Sequence, residues 1–208
     1  MTAKIIAPKP FPYLPVTPKS LGQRKPVWGH GTNDAIYLTS PKINGKQISC
    51  EVYRTWKSMF VRVYDPKYLA RTPSYAGATI CAEWMSFMSF RKWTLSQDWQ
   101  GKQLDKDIRI PGNKEYSPRT CLYVDHHINC LLTDSKRSRG ELPKGVAKCT
   151  GSKNFLAHYR RDNKLIHIGS FSTPEEASAA YSVERSFYIR EKAMQQPEPI
   201  RSYLLQWT

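Results

Sequence analysis

Between Gly145 and Arg190 the hydrophobic period changes from that of a strand to that of a helix, and this change constrains the fold more than any other feature of the chain. Phe155-Leu156-Ala157-His158-Tyr159-Arg160 and Lys164-Leu165-Ile166-His167-Ile168 both alternate with period two, and Arg161-Asp162-Asn163 between them supplies turn chemistry, so the two segments are expected to pair as a hairpin. After Gly169 the signals become those of a helix start. Ser172 or Thr173 can cap, Pro174 suits the first helical position, and Glu175 and Glu176 complement the dipole. The spacing predicts a helix over about residues 174–190, on which Ala177, Ala180, Tyr181, Glu184 and Phe187/Tyr188 recur on one face. Its small residues let it lie close on the sheet.

Alternation assigns the faces of that sheet. Phe155, Ala157 and Tyr159, with Ile166 and Ile168, point at the helix, and Leu156, His158 and Arg160, with Leu165 and His167, point away. From Lys136 to Lys164 there are nine Lys or Arg against Glu141 and Asp162 alone. The outward face is therefore expected to carry a positive potential suited to phosphates.

The residues of this stretch, from Gly145-Val146 through the alternating strand to IHIGSFSTPEEASAAY, resemble the plant ethylene-response-factor (APETALA-type) DNA-binding domain, and more closely its phage relatives at the C-terminus of HNH homing endonucleases. The likeness covers about 45 residues. It implies a three-stranded antiparallel sheet packed on one helix, with one sheet face reading the major groove of double-stranded DNA. By position, His158, Arg160 and His167 would face the groove. Lys148 and Lys153 fall in a first loop whose length departs from the plant pattern, and the plant domain's arginines and tryptophans are largely absent here.

The whole chain has 208 residues and a net charge of +15, which allows one large domain or two small ones and favours a polyanionic partner. It has no apolar run of membrane-spanning length and no apolar signal-peptide core, so a soluble protein of the cytoplasm is expected, that of the host cell if it is phage-borne. Cys50, Cys81, Cys121, Cys130 and Cys149 are odd in number and never in CxxC spacing, which argues against a disulfide framework or a zinc knuckle. A zinc site from Cys50, Cys81 and Cys121 in space stays open. Residues 1–26 form a basic, acid-free tail with six prolines, Pro8, Pro10, Pro12, Pro15, Pro18 and Pro26, able to lie along a phosphate backbone or to remain solvated.

From Val27 to Gln100 the chain turns aromatic. Ile43-Asn44-Gly45-Lys46 reads as a hairpin, Tyr53, Trp56, Met59, Phe60 and Val63 recur on one helical face, and a second helix carries Trp84, Phe87, Phe90 and Trp93. These stripes are expected to be core. Trp56-x-x-Met59-x-x-Arg62, followed by Pro73-x-Tyr75-x-Gly77 and Cys81-x-Glu83-Trp84-x-x-Phe87-x-x-Phe90-x-x-Trp93, resembles the N-terminal half of a phage family described as HNH-endonuclease-like.

Any chemistry falls between Leu104 and Asn129. Leu104-Asp105-Lys106-Asp107-Ile108, a turn at Pro111-Gly112-Asn113-Lys114, then Tyr116 to Val124 and Asn129, resemble the ββα-metal core of HNH nucleases. That resemblance puts Asp105 and Asn129 at metal-ligand positions, with oxygen ligands suited to Mg²⁺ or Mn²⁺. Lys106 stands where the family has its general-base histidine, and Thr120 where it has the asparagine that orients that histidine. A protonated lysine cannot accept a proton from water, which leaves Asp107, His126 and His127 as substitutes. On the alternative, Asp105, Lys106 and Asp107 form surface charge pairs in a fold that no longer cuts. Arg137 and Arg139 lie in a basic linker expected to track phosphates.

The fold class expected is α+β: a helical, aromatic N-terminal region leading into an HNH-like ββα core, then the small sheet on its helix. The corresponding boundaries are a tail at 1–26, a nuclease domain at 27–135, a linker at 136–144, a DNA-binding domain at 145–193 and a C-terminal tail at 194–208. The expected function is divalent-cation-dependent DNA endonuclease activity. The alternatives are a non-catalytic regulatory or architectural DNA-binding protein, and a basic factor that binds a host protein or RNA.

Overall fold

The computed structural model describes residues 11–132, 141–162 and 164–208. Arg137, Arg139, most of the expected linker and the first ten residues of the proline tail lie outside the described residues. In chain order the elements are α1 (Pro18–Gly22), β1 (Lys42–Ile43), β2 (Lys46–Gln47), α2 (Glu51–Tyr64), α3 (Pro66–Arg71), β3 (Thr79–Ile80), α4 (Phe87–Leu95) and β4 (Gln103–Asp105). There follow β5 (Glu115–Tyr116), β6 (Leu122–Val124), α5 (His126–Leu132), β7 (Val146–Lys148), β8 (Phe155–Arg161), β9 (Lys164–Phe171), α6 (Pro174–Met194) and α7 (Ile200–Leu205). The fold is mixed α+β, with strands at 103–105 and 122–124 and a helix at 126–132 in the segment where a ββα pattern was expected.

Two compact units divide the chain. The first takes Met1–Gln100 with Gly112–Tyr123, the second Gly101–Pro111 with Val124–Thr208. The segment expected as one nuclease domain is thus shared between them.

In the first unit α2 forms because Val52, Trp56, Met59 and Phe60 recur at helical spacing and bury one face. It stops at Asp65, whose extended backbone precedes a proline; Asp65 also caps α3, its Oδ1 accepting from the Lys67 N–H at 2.8 Å. The expected second aromatic helix is broken in two. Trp84 sits in a 3₁₀ turn at Ala82–Met85, and α4 starts anew after Ser86, whose Oγ accepts from the Ser89 N–H at 3.1 Å. A tertiary contact explains the break: the Asp34 carboxylate accepts from the Met88 N–H at 2.9 Å and from Ser86 Oγ at 2.6 Å, which fixes the start of α4. Trp56, Met59, Phe60, Trp84, Phe87 and Phe90 have no exposed surface, and the Trp56 indole N–H donates to the Trp84 carbonyl at 2.7 Å. The aromatic stripes are core, as their periodicity requires. β1 and β2 close the expected hairpin around Asn44 and Gly45, both with positive φ.

In the second unit β7, β8 and β9 form an antiparallel sheet in that order. Val146 pairs with Ala157, Ala157 with Gly169, Tyr159 with Ile166 and His158 with His167. A register shift between Ala157 and His158 leaves Ile168 as the extra residue on β9. Ile168 packs on the core as expected, and Ile166, which pairs with Tyr159 on the same side of the sheet, is 37% exposed. Thr173 is the cap of α6 in a capping box with Glu176, and the helix runs one turn past Arg190 to Met194. Ala177, Tyr181 and Tyr188 of α6 meet Val146, Ala157 and Tyr159 of the sheet. Phe187 points away from that core and is 62% exposed. The C-terminal segment docks: Leu204 is fully buried and the Trp207 indole N–H donates to the Ile108 carbonyl at 3.2 Å.

Candidate nuclease centre and nucleic-acid face

β4 presents Gln103 and Asp105 on one side and buries Leu104 on the other, as strand alternation requires. The strand ends in a turn closed by Asp105 itself, whose Oδ1 accepts from the N–H groups of Asp107 and Ile108, both at 2.7 Å. Burial pushes the Asp105 carboxyl above its ordinary value, more than those two N–H bonds and Lys106 pull it down. A desolvated carboxylate of this kind favours a nearby cation.

Asn129, in the first turns of α5, donates through Nδ2 to Gln103 Oε1 at 2.8 Å. Because Gln103 and Asp105 share a face of β4, this bond brings Asn129 to the side of the strand that carries Asp105. Gln103 was not singled out from the sequence, although its place two residues before Asp105 is the signal that would have found it.

Lys106 is 5% exposed, and its Nζ forms an ion pair with Asp107 Oδ1 at 2.6 Å. The charge pairing expected of these residues is present, but its cationic half is buried rather than on the surface. In that pair Lys106 is a hydrogen-bond donor. His126 and His127 are exposed at the start of α5, and His126 lies 3.5 Å from Cys130 Sγ, one helical turn on.

Thr120 belongs to the first unit. Its Oγ1 donates to the Glu115 carbonyl at 2.7 Å and meets the Ser117 N–H at 3.2 Å and Ser117 Oγ at 3.0 Å. The hydroxyl closes the turn between β5 and β6, a complete structural use of it.

On the second unit's sheet, register sets the outward face. Ala147, Leu156 and Ser170 form one row, His158 and His167 the next, and Arg160 and Leu165 the third. No Asp or Glu stands in these rows. Arg160, Leu165 and His167 are exposed and His158 is half-buried. Lys148 pairs with Phe155, which packs on the helix side, so the register puts Lys148 on that same side at the exposed end of β7 and outside the outward rows, against the expectation that it joins the nucleic-acid face. Lys153 is exposed in the loop before β8.

Cys50 and Cys121 are buried and Cys81 is half-buried, all as free thiols. Among the described residues no three His, Cys, Asp or Glu side chains are grouped to hold a metal ion, and no helix is long and apolar enough to cross a membrane. No family model, curated protein or solved structure matches this chain. A functional reading therefore rests on the chain's own residues.

Proposed function

We propose that this chain is an HNH-type DNA endonuclease, whose sheet β7-β8-β9 holds duplex DNA while Asp105 and Asn129 hold a divalent cation for phosphodiester hydrolysis. The observation that carries the DNA-binding half is the acid-free outward face with His158, Arg160 and His167 in register. Face and charge suit phosphates, since Arg160 and the hydrogen-bonding imidazoles stand there without a carboxylate on a chain of net charge +15, and such a surface attracts a polyanion at any sequence.

For the cutting half, the support is the desolvated Asp105 beside the strand partner of Asn129. The carboxylate and amide oxygens are hard donors of the type Mg²⁺ and Mn²⁺ take, and such ions complete their shell with water and substrate phosphate. When bound, the cation would screen the phosphate and stabilise the leaving oxygen. Lys106 donates to Asp107 and Thr120 is committed to its turn, so proton transfer falls to His126 or His127.

One observation favours a second reading, DNA binding without cleavage: the residues at the base and orienting positions, Lys106 and Thr120, are both fully used in local structure. Supercoiled plasmid incubated with the protein and Mg²⁺ or Mn²⁺ separates the two. Nicking by the wild type that Asp105→Asn and Asn129→Ala each abolish supports the nuclease; intact plasmid that is nonetheless retarded in a gel supports the second reading.

A further inference from the structure

Two turns in the first unit share a backbone but not a sequence logic. In the β1–β2 hairpin Asn44 and Gly45 have φ of 48° and 77°; in the Val27–Gly31 loop Trp28 and Gly29 have φ of 53° and 76°. Two successive positive φ values mark the tight hairpin turn in which Asn-Gly is favoured, because asparagine tolerates the left-handed region. A bulky indole in that region is a genuine outlier, strained by its own Cβ against the backbone.

The loop is built to hold this conformation. Val27 and Gly31 exchange N–H···O bonds of 2.8 and 3.0 Å, and the His30 N–H donates to the Val27 carbonyl at 3.1 Å. Gly31 is seated so tightly that a Cβ there would come within 2.6 Å of the Phe60 ring and 2.9 Å of Trp56. His30 stacks on Tyr64 of α2 with ring centroids 4.1 Å apart. The strained turn is thus fastened to the helical core on both sides.

What it presents is the Trp28 ring. Trp28 is 43% exposed, and the other five tryptophans are buried or half-buried. Among the described residues its indole has neither a ring partner nor a hydrogen-bond partner, so no specific contact of the ring accounts for the strain. Exposed Lys25 stands three residues before it, and the first Asp or Glu of the chain is Asp34. An open aromatic ring on a rigid loop within an acid-free basic segment has the chemistry that stacks a base while cations track its backbone.

We infer that Trp28 is a stacking platform for an unpaired nucleobase, a second nucleic-acid contact separate from the sheet. It rests on the reading that nucleic acid is the partner. The test uses the full chain, an oligothymidylate carrying one 2-aminopurine, and a duplex of equal length. Wild-type protein is expected to bind the single strand and to change the 2-aminopurine fluorescence. Trp28→Asn, which places at the turn the residue found in its sister hairpin, is expected to weaken single-strand binding about tenfold, abolish the fluorescence change, leave duplex affinity within about twofold and raise Tm. Trp28→Phe, which keeps a ring, is expected to stay within about threefold of wild type on the single strand.

Unchanged single-strand affinity in Trp28→Asn overturns the inference, as does equal loss in Trp28→Asn and Trp28→Phe, or a lower Tm in Trp28→Asn. Wild-type protein that binds duplex but not single strand overturns this inference alone. Binding of neither overturns it together with the proposed function.

Discussion

Asp105 combines two roles that pull its charge in opposite directions. Its Oδ1 closes the turn after β4 by accepting two N–H groups, while burial raises its pKa. A carboxyl whose folded pKa lies above its unfolded value binds more protons in the folded state, so stability falls as pH rises through the interval between the two. Asparagine keeps an acceptor for both N–H groups and removes the charge. Asp105→Asn is therefore expected to match or exceed the wild-type Tm at neutral pH, with the difference vanishing below about pH 4, where the unfolded carboxyl is protonated too. Thermal melts across that range check this, and a lower Tm for the variant at pH 7 contradicts it. Asp162 behaves the other way. Its hydrogen bond from Lys192, helped by Tyr188, lowers its pKa, so its contribution is present at neutral pH and is lost as pH falls through the acid range.

At the scale of elements, α6 and the sheet meet through a few atoms with no slack. Gly145 has φ of 78°, and a Cβ there would lie 1.9 Å from the Tyr181 ring. Gly145→Ala is expected to cost about 2–4 kcal/mol, from the left-handed backbone and the displaced ring together, read by urea titration of the full chain. The element types were legible because each follows from local chemistry: the hairpin from alternation around Asp162, the helix from Thr173, Pro174 and Glu176. Details set by contacts between elements were not. The bulge at Ile168, and the exposure of Ile166 on the helix side of the sheet, need the register of β8 against β9. The break at Ser86 needs Asp34, 52 positions away, which helical periodicity through Trp84, Phe87 and Phe90 could not reveal.

For the whole molecule, a charge of +15 makes any nucleic-acid affinity salt-dependent. The logarithm of the binding constant is expected to fall linearly with the logarithm of salt concentration, by about 0.9 for each phosphate neutralised, and Arg160→Ala is expected to lower the slope by about 1. Duplex titrations over a range of salt measure both values, and an unchanged slope removes Arg160 from the phosphate contacts. Part of the candidate site could be proposed in advance: Asp105 and Asn129 from the resemblance of their surroundings to an HNH core, and the outward placing of His158, Arg160 and His167 from alternation. Composition and period alone determined the basic charge, the aromatic core and the strand–strand–helix module, because burial of apolar side chains and backbone hydrogen bonding follow local pattern. Only tertiary structure decided that Lys106 is buried against Asp107, that Thr120 closes a turn, that Gln103 receives Asn129, and that the Trp28 ring, exposed on a strained loop, has no ring or hydrogen-bond partner among the described residues. Those outcomes depend on which distant groups come within bonding distance, and hydrogen bonds and close contacts of this kind leave no period in the chain.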